Sequence, residues 1–271
     1  MYKIYATGQE FLDENLNIIR NDPLGTTFME GNANMISTCN ESNYALRIEH
    51  HGELLIAIRV ENLPFVIYGS ELCAAELAKV VAENKLQFGK VIGYYDVLDA
   101  FLTAYESHLG GTHKVNLSMD VMYCEKVNPC DIIGVEQATE KDTDEIARLV
   151  ECFTSEAVGE QPEFSKVLDK VSKQINSYAV FKIDGVIVSM GMCYHDGSLR
   201  RISNVYTLPE YRNRGYSKKV VTYLTEQALK GGIPCLHVDQ HNPVSNHLYQ
   251  SIGYVYGKSR YEIIYTPARR N

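Results

Sequence analysis

Apolar positions recur along this chain at two spacings, every three to four residues in some stretches and every second residue in others. Those periods predict helices alternating with strands. Phe11, Leu12, Leu16 and Ile19 mark one face of a first helix, which the Asn21-Asp22-Pro23 run ends. Strands are predicted over 44–48 and 54–60, around a His51-Gly52 turn, with a short strand over 90–94 and a long alternating one over 115–123. Ser70 is placed to cap a helix through Leu72, Leu77 and Val81. Asp96, with Asp99 three residues on, is placed to open a helix carrying Leu98, Phe101, Leu102 and Tyr105, which Gly110-Gly111 closes.

After the break Val127-Asn128-Pro129-Cys130-Asp131, the pattern restarts with a short strand. Asp142-x-x-Glu145 then reads as a capping box leading a helix with Ile146, Leu149, Val150 and Phe153 turned inward. A second helix is predicted over 163–175, and 178–183 and 186–193 form a hairpin about Asp184-Gly185. A strand over 199–207, a helix over 216–229, a strand over 234–238, a short helix over 243–252 and a last strand over 254–265 complete the chain.

The two halves echo each other. Tyr44-Ala45-Leu46-Arg47-Ile48 before Gly52 is similar to Tyr178-Ala179-Val180-Phe181-Lys182-Ile183 before Gly185, and after each the order is strand, helix, short strand, helix, long strand. Strands and helices in this alternation predict an α/β fold, with a mixed sheet flanked by helices in each half. We read the chain as a duplication, with domains at 1–130 and 131–271.

Composition narrows the function. At 271 residues the chain has room for two domains that each bury a core of their own. A formal charge of −8 argues against nonspecific binding to nucleic acid or anionic membrane, which needs a local excess of Lys and Arg. No apolar run is long enough to span a bilayer, and the start Met1-Tyr2-Lys3-Ile4 lacks a secretory pattern. Seven cysteines are scattered singly, an odd number without a CxxC pair, which reads as reduced thiols in a cytoplasm. No metal site is expected. His237-x-x-x-His241 has helical ligand spacing, but Pro234 and Asn242-Pro243 make that segment strand and loop.

One stretch carries most of the chemical information, Asn204-Val205-Tyr206-Thr207-Leu208-Pro209-Glu210-Tyr211-Arg212-Asn213-Arg214-Gly215-Tyr216-Ser217. A strand ends, a proline turns the chain, and an Arg/Gly loop opens directly into an amphipathic helix anchored by Val220, Val221 and Leu224. Unpaired N–H groups and partial positive charge at a helix start suit a pyrophosphate. Gly215 lets backbone come close to such a group, and Arg212 and Arg214 add charge.

Arg212-x-x-Gly215-x-Ser217 resembles the acyl-CoA-binding Q/R-x-x-G-x-G/A signature of the GNAT superfamily of N-acetyltransferases, and the Val-Tyr-Thr-x-Pro-x-Tyr-Arg lead-in is similar to that superfamily's. Asn242-Pro243-x-Ser245-Asn246-x-x-Tyr249, followed by Ile252-Gly253-Tyr254, resembles the second half of the same site. The resemblance covers about 135–265, while 1–130 resembles only a degenerate GNAT-like domain of the kind found in tandem members.

The resemblance implies two GNAT-like domains, the second catalytic, and transfer of an acetyl group from acetyl-CoA to an amine without a metal or a covalent enzyme intermediate. It implies that the strand segment Val205, Tyr206 and Thr207 pairs with the pantetheine arm, and that Asn204 bulges the strand to open the cleft. Arg212, Asn213, Arg214, Gly215, Tyr216 and Ser217 would hold the pyrophosphate, with Asn242 and Asn246 on the other wall. Tyr249 would protonate the leaving thiolate.

The sequence departs from the family pattern in two places. Ser217 stands where Gly or Ala is usual, and Arg201-Ile202-Ser203-Asn204 lacks the strand carboxylate that often serves as base. Water, Glu156, Glu160, His195 and Asp196 remain as alternatives for that role, and Arg200 and Arg201 as alternatives for receiving a substrate carboxylate. In the first half, 64–70 occupies the place of the phosphate loop without its arginines, so that half is not expected to bind CoA in the same way. Packing, shaping the acceptor pocket and homodimer formation stay open for it. The acceptor is a small-molecule or peptide amine, and the rival reading is a noncatalytic acyl-CoA-binding sensor or interaction module.

Overall fold

The computed structural model describes residues 1–159 and 161–268. The chain divides into two compact units, one of Met1–Val121, Val238–His241 and Gly257 onward, the other of Met122–His237 and Asn242–Tyr256.

The first unit contains β1 (Tyr2–Ile4), α1 (Gly8–Asn21), α2 (Met29–Asn34), β2 (Tyr44–His50), β3 (Glu53–Arg59), β4 (Phe65–Gly69), α3 (Ala74–Glu83), β5 (Lys90–Gly93), α4 (Tyr95–Leu109) and β6 (Thr112–Tyr123), the last reaching the unit's edge. The Thr7 hydroxyl accepts the Glu10 N–H at the start of α1, and α1 stops at Asn21 as the sequence predicts. Strands β1 to β4 pair antiparallel in order, and β4 then pairs parallel with β5.

Side chains on β2 alternate between two cores, Tyr44, Leu46 and Ile48 facing α3 and α4 while Ala45 joins Phe11, Leu12 and Met29 of α1 and α2. Burial on both faces explains why most of 64–70, the stretch in the place of the phosphate loop, forms the strand β4. Its Phe65, Val66 and Ile67 are wholly buried and form a continuous apolar run rather than an alternating one. The Asp96 start of α4 also differs, since the helix begins at Tyr95 without a side-chain cap.

The second unit contains β7 (Val135–Gln137), α5 (Thr143–Val158), α6 (Phe164–Lys173), β8 (Tyr178–Ile183), β9 (Val186–Asp196), β10 (Leu199–Thr207), α7 (Tyr216–Ala228), β11 (Ile233–Asp239) and α8 (Pro243–Ile252), with β11 running to the unit's edge. The last strand, β12 (Val255–Thr266), begins here and belongs to the first unit from Gly257 onward. Strands β7 to β10 pair antiparallel in order and β10 pairs parallel with β11, the same sequence of senses as β1 to β5.

The capping box lies three residues earlier than the sequence suggests. Thr139 and Asp142 form it, whereas the Glu145 carboxylate accepts the Ile187 N–H. On one sheet face Tyr178, Val180, Met190, Met192 and Tyr206 pack against α5 and α6. On the other, a Cβ at Gly191 would lie 3.0 Å from Leu224 and 3.3 Å from Val220, so glycine admits α7 closely to the sheet.

In the first unit the strand beside β5 is β12, with Tyr261, Glu262, Ile263 and Ile264 opposite Gly93, Ile92, Val91 and Lys90. Ile263 and Tyr265 enter the core that α3 and α4 cover, and Glu262 binds Lys90 at 3.3 Å and the Asn116 amide at 2.6 Å. The C-terminal strand of the chain thus completes the sheet built by its N-terminal residues.

Candidate functional site

Strand β10 leads into the sequence-predicted site, and its two edges behave differently. Against β9 it pairs along its length, with a register shift between Ser203 and Tyr206 where Asn204 takes φ 50°. Asn204 tolerates that left-handed backbone, and its amide donates to the Tyr178 hydroxyl at 3.0 Å, which holds the bulge against the core. Against β11, β10 pairs only over Leu199–Arg201 opposite Ile233–Cys235, and then runs on to Thr207. The segment holding Val205, Tyr206 and Thr207 therefore lies where the two parallel strands have parted.

Thr207 passes through the short turn Pro209–Tyr211 into the Arg/Gly loop. Asn213 at φ 62° and Gly215 at φ 80° bend the backbone into α7, and space around the Gly215 Cα is open. Glycine is required there by the dihedral and not by crowding within the protein. Among the described residues no side chain caps the start of α7, and the loop residues 212–215 that lead into it are exposed. Tyr216 is fixed by stacking on Phe181, ring centroids 4.6 Å apart and 22° between planes.

The two arginines are held differently. Arg212 donates to the Thr207 carbonyl at 3.0 Å, pairs with Glu156 of α5 at 2.6 Å, and lies 5.4 Å over the Tyr206 ring. Its charge is therefore largely matched, and its part is to brace the loop. Arg214 donates to the Glu210 carbonyl at 3.1 Å and covers Tyr211, an exposed cation close to the helix start. The Glu156 partnership joins residues 56 apart, and no local signal announces it.

The second motif lies on α8, which packs beside α7. The Asn242 side chain accepts the Ser245 N–H at 3.0 Å as an N-cap, so its oxygen is committed to the helix. Asn246 donates its amide to the Asn242 carbonyl at 2.9 Å. Tyr249 is buried at 9% exposure, and burial pushes its phenol up to about 12. Among the described residues no protein group hydrogen-bonds the Tyr249 hydroxyl.

The candidate bases are dispersed. Glu156 is engaged by Arg212. His195 is exposed on β9 opposite Arg200, Asp196 is 7% exposed beside it, and Glu160 lies outside the described residues. The two strand arginines also separate in role. Arg200 bonds the Gly197, Leu199 and Gly231 carbonyls and ties down a turn. Arg201 is 6% exposed and reaches His237 on β11, Nη2 to Nδ1 at 2.6 Å, a pair the sequence did not reveal.

All seven cysteines are free thiols, and burial holds Cys193 and Cys235 up to about 11 and 12. Among the described residues no helix is long and apolar enough to cross a membrane, and no group of three or more His, Cys, Asp and Glu could hold a metal ion.

Residues 143–254 match the family model described as the acetyltransferase (GNAT) family. No curated protein matches the sequence. Among solved structures, a GCN5-related N-acetyltransferase from Sphaerobacter thermophilus has a TM-score of 0.62 at 15% identity, covering 98% of this chain and 95% of that one. An acetyltransferase of the GNAT family from Colwellia psychrerythraea has a TM-score of 0.59 at 12% identity, covering 98% and 99%. A Drosophila protein has a TM-score of 0.59 at 14% identity, covering 96% and 88%. Identities this low speak for the fold alone. The chain thus has the mixed α/β fold of these acetyltransferases, and its residues 143–254 form a domain of the acetyltransferase (GNAT) family.

Proposed function

We propose that this protein moves an acetyl group from acetyl-CoA to a primary amine, by direct attack of the neutral amine on the thioester. The observation that carries the reading is the parting of β10 from β11 immediately before an uncapped, glycine-started helix with an exposed arginine. The stretch Val205–Thr207, which lies beyond the pairing of β10 with β11, suits an extended polar arm in the manner of an added strand. The first turn of α7 and Arg214 suit a pyrophosphate, with Arg212 bracing the loop through Glu156. Asn246, on α8, stands on the other wall in this scheme. Asn242, whose oxygen caps that helix, serves mainly to place it.

In the proposed reaction the amine nitrogen bonds to the thioester carbon and the carbon–sulfur bond breaks. The departing thiolate takes the Tyr249 phenolic proton. A phenol held up to about 12 keeps that proton at neutral pH, the state a donor requires. The proton lost by the nitrogen passes to water or to one of the carboxylate or imidazole groups named above. The 1–130 half, lacking the arginine pair, binds no CoA in this scheme, and the protein works in the cytoplasm on a small-molecule or peptide amine.

Arg201-Ile202-Ser203, where the strand has no carboxylate, favours a second reading as a noncatalytic acyl-CoA-binding module. Calorimetric titration with acetyl-CoA, followed by thiol release across a panel of amines, separates the two. Saturable binding with amine-dependent thiol release is expected, and Arg214→Glu should weaken binding at least about 10-fold by placing an anion before the phosphates. Binding without release from any amine would establish the second reading. No binding, or an unaffected Arg214→Glu variant, would remove the donor-site assignment.

A further inference from the structure

The phosphate loop of the proposed donor site holds an anion of the protein's own. Arg214 donates to a carbonyl, that of Glu210, but Arg212 is paired with the Glu156 carboxylate at 2.6 Å. Glu156 lies in the last turn of α5, a turn without a basic residue, where the helix dipole disfavours an acid. The helix gains nothing from an acid at that end, so the contribution of Glu156 lies in what it faces.

Arg212 meets three groups at once. Its Nε donates to the Thr207 carbonyl at 3.0 Å, its Nη2 donates to Glu156 Oε2, and the guanidinium lies 5.4 Å over the Tyr206 ring. Tyr206 and Thr207 belong to the part of β10 beyond its pairing with β11, so Glu156 is tied to the opening through a single side chain. Its charge reaches the strand as well. Burial, and after it the Glu156 carboxylate, pushes the Tyr206 phenol above its ordinary value. The Arg212 and Glu156 side chains are 40% and 49% exposed, so a dissolved anion can reach the pair. An ion pair this exposed is weak, and a phosphate matches a guanidinium at least as well as a carboxylate does.

We propose that Glu156 competes with the donor's phosphates for Arg212 and, by its charge, holds the affinity for CoA down so that the product leaves quickly. The proposal rests on the acetyl-transfer reading, which seats the pyrophosphate at this loop. Acetyl-CoA and CoA carry the same phosphates, so Glu156 weakens both alike. Uniform weakening costs no rate when donor is plentiful, and it shortens the wait for product release. Glu156 thus has two separable properties, an acceptor oxygen that braces Arg212 and a negative charge that opposes the phosphates. Glutamine keeps the first and removes the second, whereas alanine removes both.

The test measures CoA and acetyl-CoA affinity by calorimetry and CoA release by stopped flow, in wild type, Glu156→Gln and Glu156→Ala. Glu156→Gln should bind CoA about 3- to 10-fold more tightly, chiefly through slower release. That gain should fade as salt rises from about 0.05 to about 0.5 M. Glu156→Ala, which loses the brace too, should bind CoA more weakly than Glu156→Gln. Acetyl-pantetheine, which has the same arm without the nucleotide phosphates, should serve wild type and Glu156→Gln within about 2-fold in kcat/KM. Unchanged or weaker CoA binding by Glu156→Gln would overturn the proposal and leave Glu156 a brace or a surface pair, and so would an equal gain with acetyl-pantetheine. A wild type that binds no acetyl-CoA would overturn the donor-site reading and this proposal together. Tighter CoA binding by Glu156→Gln in a protein that releases no thiol to any amine would sustain this role of Glu156 while defeating the transferase reading.

Discussion

Tyr249 shows how far one side chain can be read from its neighbours in sequence. Its place after Asn242 and Asn246 is the ground for proposing it as the proton donor, and the structure adds that it is 9% exposed with its phenol pushed up to about 12 by burial. If it protonates the thiolate, Tyr249→Phe should lower kcat by about 100-fold while leaving acetyl-CoA affinity within about 3-fold. Single-turnover measurement of thiol release checks this, and equal rates in the two proteins would sink the assignment. The loop that Gly215 turns into α7 was legible in the sequence because glycine and arginine spacing is local. Arg212 was legible as a cation but not as a paired one. Its partner Glu156 belongs to a helix far back in the chain, and the match of charges exists only after folding.

At the scale of elements, periodicity located most helices and strands, and the corrections fall where burial or a cap was decided by a neighbour. The start of α5 is the example. Thr139 and Asp142 close a reciprocal cap, and Asp142 also binds Lys182 of β8 at 2.7 Å with its side chain 8% exposed. Burial pushes the Asp142 carboxyl up, but the bonds from Lys182 and Thr139 outweigh it, so its pKa sits below the ordinary aspartate value. A lowered carboxyl stabilises the fold above its unfolded-state value and loses that contribution as pH falls through the folded one. Asp142→Asn should therefore cost about 1–3 kcal/mol at pH 7. The deficit should shrink as pH falls below about 4. Denaturant unfolding at several pH values measures both, and a deficit independent of pH would show that charge is not involved.

At the scale of the whole chain, the decisive feature is β12. The last strand was predicted at nearly its observed bounds, yet its pairing with β5 places C-terminal residues in the sheet of the first unit. Arg260, wholly buried, bonds the Gly25 carbonyl, and Ile263 is wholly buried as well. A chain ending at Tyr256 should lose the β5 ladder and this packing together, and each large apolar side chain exposed costs about 1.5–3 kcal/mol. We expect hydrogen exchange across 44–105 to accelerate by orders of magnitude in the truncated chain. Unchanged protection there would mean that the first unit stands without its borrowed strand.

The amino-acid sequence by itself determined whatever depends on residues close in the chain. That includes the alternation of helices and strands, the Asp184-Gly185 hairpin, the glycine-started α7 and the order of the two motifs. Periodicity, turn dihedrals and helix caps are set within a few residues, so they can be read directly. Only the tertiary structure decided that β10 and β11 part after Arg201, that β12 completes the first unit, and that Arg201 meets His237 across 36 positions. Those features arise from strand pairing and from burial of charge, whose energies depend on which distant segments meet.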